Sequence, residues 1–194
     1  MAQWQKNIKI VGQALLSRVN KMNINRVWAM PNKWTFTIKP IADLLARYVG
    51  DGLGWADPFA GENSPAEYTN DIDPNRKAKT NLEASEFARG LNGDIKGILF
   101  DPPYSLEQLK RSYENIGRKF TMRDGQIANR WTELKDILSR ALIPGGIVIS
   151  FGWNSEGFGK GRGFMLEEIL LVAHGSGHND TIVTVERKNQ SRLV

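Results

Sequence analysis

The sequence predicts an α/β protein, a doubly wound and mostly parallel sheet that closes on an antiparallel hairpin. Three observations predict it. Short runs at residues 98–100 and 147–151, apolar but for Ser150, read as buried strands, each stopped by Asp, Pro or Gly. Amphipathic helical patterns separate such runs, and that alternation argues for parallel strands joined by crossing helices. Residues 167–173 and 181–187 read as two strands joined by a Gly-rich turn, a hairpin expected at or near one sheet edge.

The elements follow in order. Ile8, Val11, Leu15, Val19 and Met22 recur at helical spacing with Lys9, Arg18 and Lys21 off that stripe, so a basic helical segment is expected over about residues 1–28. It either packs on its own domain or serves as a DNA-contacting arm or dimer helix. A loop with Pro31 and Asn32 follows. Residues 41–49 read as a helix ended by Gly50-Asp51-Gly52. Residues 53–57 read as a strand running into the turn Pro58-Phe59-Ala60-Gly61. A short helix, a strand over 67–72 and a helix over 75–82 are expected next. The strand at 98–100 stops at Asp101-Pro102-Pro103, and an amphipathic helix over 131–142 ends at Pro144-Gly145-Gly146. A chain of 194 residues suffices for one domain of this kind.

Composition narrows the chemistry. The chain has no cysteine, which excludes disulfides, thiolate metal sites and any cysteine nucleophile. Methylation of C5 of a pyrimidine by the usual covalent route is excluded with it. His174 and His178 sit in a Gly-, Asn- and Asp-rich segment that a hairpin turn explains, and no metal is expected. No run of 18 apolar residues occurs and no secretory signal is visible, so no membrane partner and a cytoplasmic location are expected.

Charge is distributed unevenly. Residues 1–42 carry seven Lys/Arg and no acid, residues 43–107 twelve acids against six bases, and residues 110–130 six bases against two acids. A basic face beside an acidic site attracts phosphates; the same pattern also describes an ordinary solvated surface. The candidate nucleic-acid contacts are Lys110, Arg111, Arg118, Lys119, Arg123 and Arg130, together with Lys160 and Arg162 in a Gly-rich loop that lacks P-loop spacing.

Asp101-Pro102-Pro103-Tyr104 follows an apolar strand, where open α/β sheets bind their ligands. Prolines lack backbone donors, so this turn offers acceptors: a carboxylate and carbonyls beside a flat ring. It suits a planar molecule bearing an amino group, or it is simply a rigid turn capped by an aspartate. The turn after the first strand brings Asp57, Pro58, Phe59, Ala60, Gly61, Asn63 and Ser64, and its glycine lets a ligand approach the backbone. Asp71-Ile72 ends the second strand, where an acid accepts hydrogen bonds from ribose hydroxyls. Thr35-Phe36-Thr37 precedes the helix leading to the first strand.

The order of Thr35–Pro40, Asp57–Ser64, Asn70–Asp73 and Asp101–Ser105 resembles the amino-methyltransferases that act on DNA bases, in particular their N6-adenine branch. The resemblance covers roughly residues 30–187. It implies a Rossmann-like seven-stranded sheet, S-adenosylmethionine as methyl donor, and a target nucleotide flipped into the pocket. Carried over by position, Asp57, Phe59 and Gly61 match the donor-binding turn and Asp71 the acid holding the ribose. Glu83 matches the acid near the donor's adenine, Thr35–Pro40 the segment at the methionine end, and Asp101–Tyr104 the catalytic motif. Asn63 stands where the family commonly has a second glycine. The short segment between Ser105 and Trp131 leaves no room for a target-recognition domain, so recognition would fall to a second copy of the chain or a separate specificity partner. The substrate so implied is adenine in DNA. Methylation of an RNA amino group, or a catalytically degenerate module that binds DNA or a partner, are the alternative readings.

Overall fold

The computed structural model describes residues 22–121, 124, 127–175 and 177–190, without the side chains of 127–130. Its strands are β1 (Asn23–Trp28), β2 (Trp55–Asp57), β3 (Tyr68–Thr69), β4 (Ile95–Phe100), β5 (Leu142–Gly152), β6 (Phe164–Ala173) and β7 (Thr181–Lys188). Its helices are α1 (Lys39–Tyr48), α2 (Ala84–Gly90), α3 (Leu106–Asn115) and α4 (Ile127–Ala141). The strands form one seven-stranded sheet in the order β1-β6-β7-β5-β4-β2-β3. Every neighbouring pair is parallel except those of β7, which runs antiparallel to both β5 and β6. This is the mostly parallel Rossmann-like α/β architecture the sequence predicts.

The hairpin of β6 and β7 forms near one edge as expected, one strand in from it, with β7 inserted between β5 and β6. The edge is β1, and here the expectation of helix up to residue 28 fails: residues 23–28 pair in parallel with Glu168–Ala173. The rest of the proposed N-terminal helix, residues 1–21, lies outside the described residues.

Two further elements differ. Residues 75–82 are not a helix. They have no apolar face to bury, and the Lys79 and Thr80 amides donate to the Thr69 carbonyl, so the segment follows the edge of β3. The short helix after the first turn is absent because Ser64 and Pro65 hold that stretch in turns. Conversely, α3 forms where no element was expected. Ser105 caps it, its hydroxyl accepting from the Gln108 amide at 3.2 Å, and Leu109 and Tyr113 bury one face.

Apolar side chains pack on both faces. On one, Ile41, Leu44 and Leu45 of α1 cover Trp55, Leu99, Ile149 and Phe151. On the other, Phe87 of α2 and Leu134 and Leu138 of α4 pack on Ile98, Phe100 and Val148. Beneath the strand ends of that second face runs a series of edge-to-face rings. Phe59 meets Phe100 at 5.7 Å and Trp131 at 5.4 Å, and Phe158 meets Phe100 and Phe164 at 5.3 Å each. Such rings interlock in a preferred geometry, and here they fix the bases of the loops that follow β2, β4 and β5.

Candidate active site

The chain leaves β2 for β3 on one side and returns to β4 on the other, so the crevice between the carboxyl ends of β2 and β4 is the switch point where open α/β sheets bind ligands. Asp57, Asp71 and Asp101 all emerge there. Asp57 is fully buried and lines none of the three cavities that meet nearby. Its carboxyl accepts from the Phe59 amide at 2.9 Å and the Ser64 hydroxyl at 2.6 Å, so it shapes the turn from beneath. Burial pushes its pKa up to about 7 despite those two bonds, with Asp101 and Asp71 adding repulsion.

Gly61 takes φ +55°, a conformation costly for a side chain. Its amide donates to Asp71 at 3.0 Å, and the Asp73 amide donates to the other Asp71 oxygen at 2.9 Å. Each oxygen therefore retains acceptor capacity toward the cleft it lines. Asn70, also buried, anchors the stretch behind by donating to Pro58 and Leu82 carbonyls and accepting from Thr80 and Leu82. Asn63 does not take the positive φ its alignment with a glycine suggests: among the described residues only glycines do.

At the end of β4, the Tyr104 hydroxyl donates to Asp101, and the Thr35 hydroxyl belongs to the same hydrogen-bonded group. Burial raises the Asp101 pKa to about 6, with the Tyr104 and Thr35 bonds opposing it. Burial also keeps Tyr104 protonated far above its usual range, so it remains a neutral donor.

Three cavities meet at this loop. The first, about 320 Å³, has Asp71 and Ile72 at one end, Asp101–Tyr104 at the other, and Leu82, Leu109 and Trp131 as apolar walls. The second, about 210 Å³, runs from Asp101 and Thr35 past Gly61 to Lys33, Trp34 and Arg76, and also touches Phe36, Ala60 and Asn63. Thr35, Phe59, Asp71 and Asp101 line both, so the two form one bent groove. The third, about 370 Å³, lies across Pro102, Pro103 and Tyr104, between β5 and α4.

Of the other residues singled out, Glu83 lines the first cavity but is paired with Arg118 and lies 3.5 Å from the Tyr113 hydroxyl. Thr37 lines none and bonds Asn32 and the Trp34 carbonyl. Several proposed nucleic-acid contacts have internal partners: Lys110 with Glu114, Arg111 with Glu107, and Arg118 with Glu83 and Asp124. Arg162 pairs with Asp136 at 2.6 Å and donates to the Phe158 and Thr132 carbonyls, pinning the Gly-rich loop to α4. Lys119 and Lys160 are exposed. Arg123 and the Arg130 side chain lie outside the described residues. His174 bridges the Ala29 carbonyl at 2.8 Å and the Thr181 hydroxyl at 2.9 Å, which makes it a tie between β1 and the hairpin. The site residues that motif reading missed are Trp34, Arg76, Leu109, Trp131 and Lys135. Of these only Leu109 carried a local signal, the Ser105-x-x-Gln108 start of α3.

No protein-family model matches the sequence, and no curated protein matches it. Solved structures that match include TrmN from Thermus thermophilus, at 19% identity over 78% of this chain and 49% of that one, TM-score 0.47. Two others are the candidate methyltransferase yhhF from Escherichia coli (10% identity, 84% and 91% coverage, TM-score 0.46) and the candidate methylase HI0767 from Haemophilus influenzae (11%, 78% and 88%, TM-score 0.44). The chain spans about half the length of the first. At these identities and scores the functional reading rests on the site itself.

Proposed function

We propose that this chain transfers a methyl group from S-adenosylmethionine to the exocyclic N6 amino group of adenine in DNA. One observation carries the reading: Asp101 of the Asp-Pro-Pro-Tyr loop lines the same groove as the Gly61 turn and Asp71, so a held amine and a bound donor would share one space.

The groove fits the donor. Asp71 offers carboxylate oxygens to vicinal hydroxyls, the Gly61 turn leaves open space beside its backbone, and Ile72, Leu82 and Leu109 suit a purine ring. Lys33 and Arg76 border the second cavity, where a carboxylate would be welcome. Bound there, S-adenosylmethionine supplies an electrophilic methyl group on a sulfonium.

The chain's own part is to hold the amine. An adenine amino group is a poor nucleophile because its lone pair is delocalised into the ring. With a pKa of about 6, Asp101 is ionised at neutral pH and accepts one N–H. The Pro102 carbonyl, in a stretch without backbone donors, accepts the other. Both bonds draw the nitrogen toward tetrahedral geometry and direct its lone pair across the groove. With the donor held in that groove, its methyl group would pass to the nitrogen, and Asp101 would be the group placed to take up the proton the amine sheds. Tyr104 holds Asp101 through its hydroxyl and also lines the third cavity, where its ring centroid lies 5.6 Å from that of Trp153. Two rings there suit a flipped base, and stacking of about 1–3 kcal/mol per base offsets part of the flipping cost.

The test is incubation with radiolabelled donor and a panel of DNA and RNA, followed by nucleoside mass analysis. N6-methyldeoxyadenosine is the expected product. Label in RNA alone would move the substrate to RNA, and no label with intact donor binding would favour a binding module.

A further inference from the structure

The third cavity contains two polar groups that the mechanism leaves unused. Ser150 is 7% exposed and lines the cavity, and among the described residues neither its hydroxyl nor that of Thr184, opposite it on β7, has a hydrogen-bond partner. A buried hydroxyl without a partner is uncommon and points to a missing one. Lys135, on α4, lines the same cavity from the opposite layer. Its ammonium donates to the Gly157 carbonyl at 2.6 Å and lies 5.6 and 5.9 Å from the Phe100 and Phe158 rings. Among the described residues it forms no ion pair. Of its three N–H groups, one is accounted for by Gly157.

A half-buried cation and an orphaned hydroxyl in one cavity are donors facing a ligand rich in acceptors. Neutral ring nitrogens beside an amine match them. Adenine carries an acceptor on each flank of its amino group, N1 and N7, whereas cytosine carries only N3. We propose that Lys135 is a specificity-determining residue, donating to a ring nitrogen adjacent to the exocyclic amine while Ser150 supplies a second donor, and that the pair selects adenine. The proposal rests on the reading of the chain as an amino-group methyltransferase.

The ionisation of Lys135 is in keeping with this role. Burial lowers its pKa, with Arg162 adding repulsion, so a ligand acceptor would replace part of the lost hydration.

The experiment crosses variants with substrate atoms. Methyl transfer is measured on a random-sequence DNA pool and on the same pool with every adenine replaced by 7-deazaadenine or by 1-deazaadenine. A hydrogen bond to a charged donor predicts that the wild type is slower by about 10- to 100-fold on at least one analogue pool. Lys135→Gln, which can still donate to Gly157, and Lys135→Met should show that penalty reduced to within about twofold. Ser150→Ala should reduce the penalty on the other analogue. Because each penalty is a ratio within one protein, a purely structural defect would slow all pools alike and leave it unchanged. A wild type with no penalty, or Lys135 variants that keep it, overturns the role of Lys135 alone. A wild type that methylates no pool overturns the functional reading and this proposal with it.

Discussion

Replacing Asp57 with Asn should make the protein more stable, and increasingly so as pH rises. The carboxyl is fully buried, and its pKa moves from 3.8 to about 7 chiefly through burial. The folded state therefore binds a proton more tightly than the unfolded chain, and stability must fall as pH rises from about 4 to about 7. At 1.36 kcal/mol per pH unit over that interval, the ionised carboxyl costs about 4 kcal/mol above pH 7. Asn removes the charge and keeps both bonds. Its amide oxygen accepts from the Phe59 amide, and its NH₂ donates to the Ser64 hydroxyl, which can rotate to accept. Urea unfolding of both proteins at pH 4.5, 6 and 8 measures the difference. The gain should be under about 1 kcal/mol at pH 4.5. It should approach 4 kcal/mol at pH 8, an upward shift in midpoint of about 2 M at a typical urea slope. A gain independent of pH, or an Asn protein weaker than wild type at pH 8, would refute the electrostatic account of this turn.

Gly61→Ala should cost about 1–2 kcal/mol through its positive φ alone, since a Cβ there meets nothing within 4 Å. Donor affinity should fall with it in calorimetry, and Gly61→Asn should cost less than Ala. Gly97→Ala has the opposite cause, because its Cβ would lie 2.3 Å from the buried Trp55 ring. It should destabilise by 3 kcal/mol or more as overpacking, and thermal melts of the double variant with Trp55→Leu should recover most of the loss. Lys160→Ala should lower the salt slope of DNA binding by about 0.9, the value for one phosphate contact. Arg162→Met should leave that slope unchanged and lower the melting temperature instead, since Arg162 is committed to Asp136 and two carbonyls.

The strand-end motifs were legible because their signals are local. An apolar run followed by Asp101-Pro102-Pro103 can end a strand only one way, and Asp71 follows β3 within two residues. What eluded the sequence depends on distant partners. β1 reads Asn-Ile-Asn-Arg-Val-Trp, weak as a strand, and becomes one only by pairing with Glu168–Ala173, some 145 residues later. β7 lies in the sheet interior for a separate reason, its pairing with β5 on one side and β6 on the other. Residues 75–82 have reasonable helix formers, but Asn70 and the Thr69 carbonyl compete for their backbone and win. Lys135 looks like one more surface lysine of an amphipathic helix until the Gly157 loop folds over it. The start of α3 was readable in Ser105-x-x-Gln108, where Ser105 caps the helix and Gln108 accepts from the Tyr104 amide at 2.6 Å.

In the proposed mechanism Asp101 holds the amine and not the donor. Asp101→Ala, checked as folded by circular dichroism, should be assayed side by side for S-adenosylhomocysteine affinity by calorimetry and for methyl transfer to DNA. Affinity within a few-fold of wild type and transfer reduced to background are the expected results. Transfer that persists, or affinity that collapses in step with it, would rule out this role for Asp101.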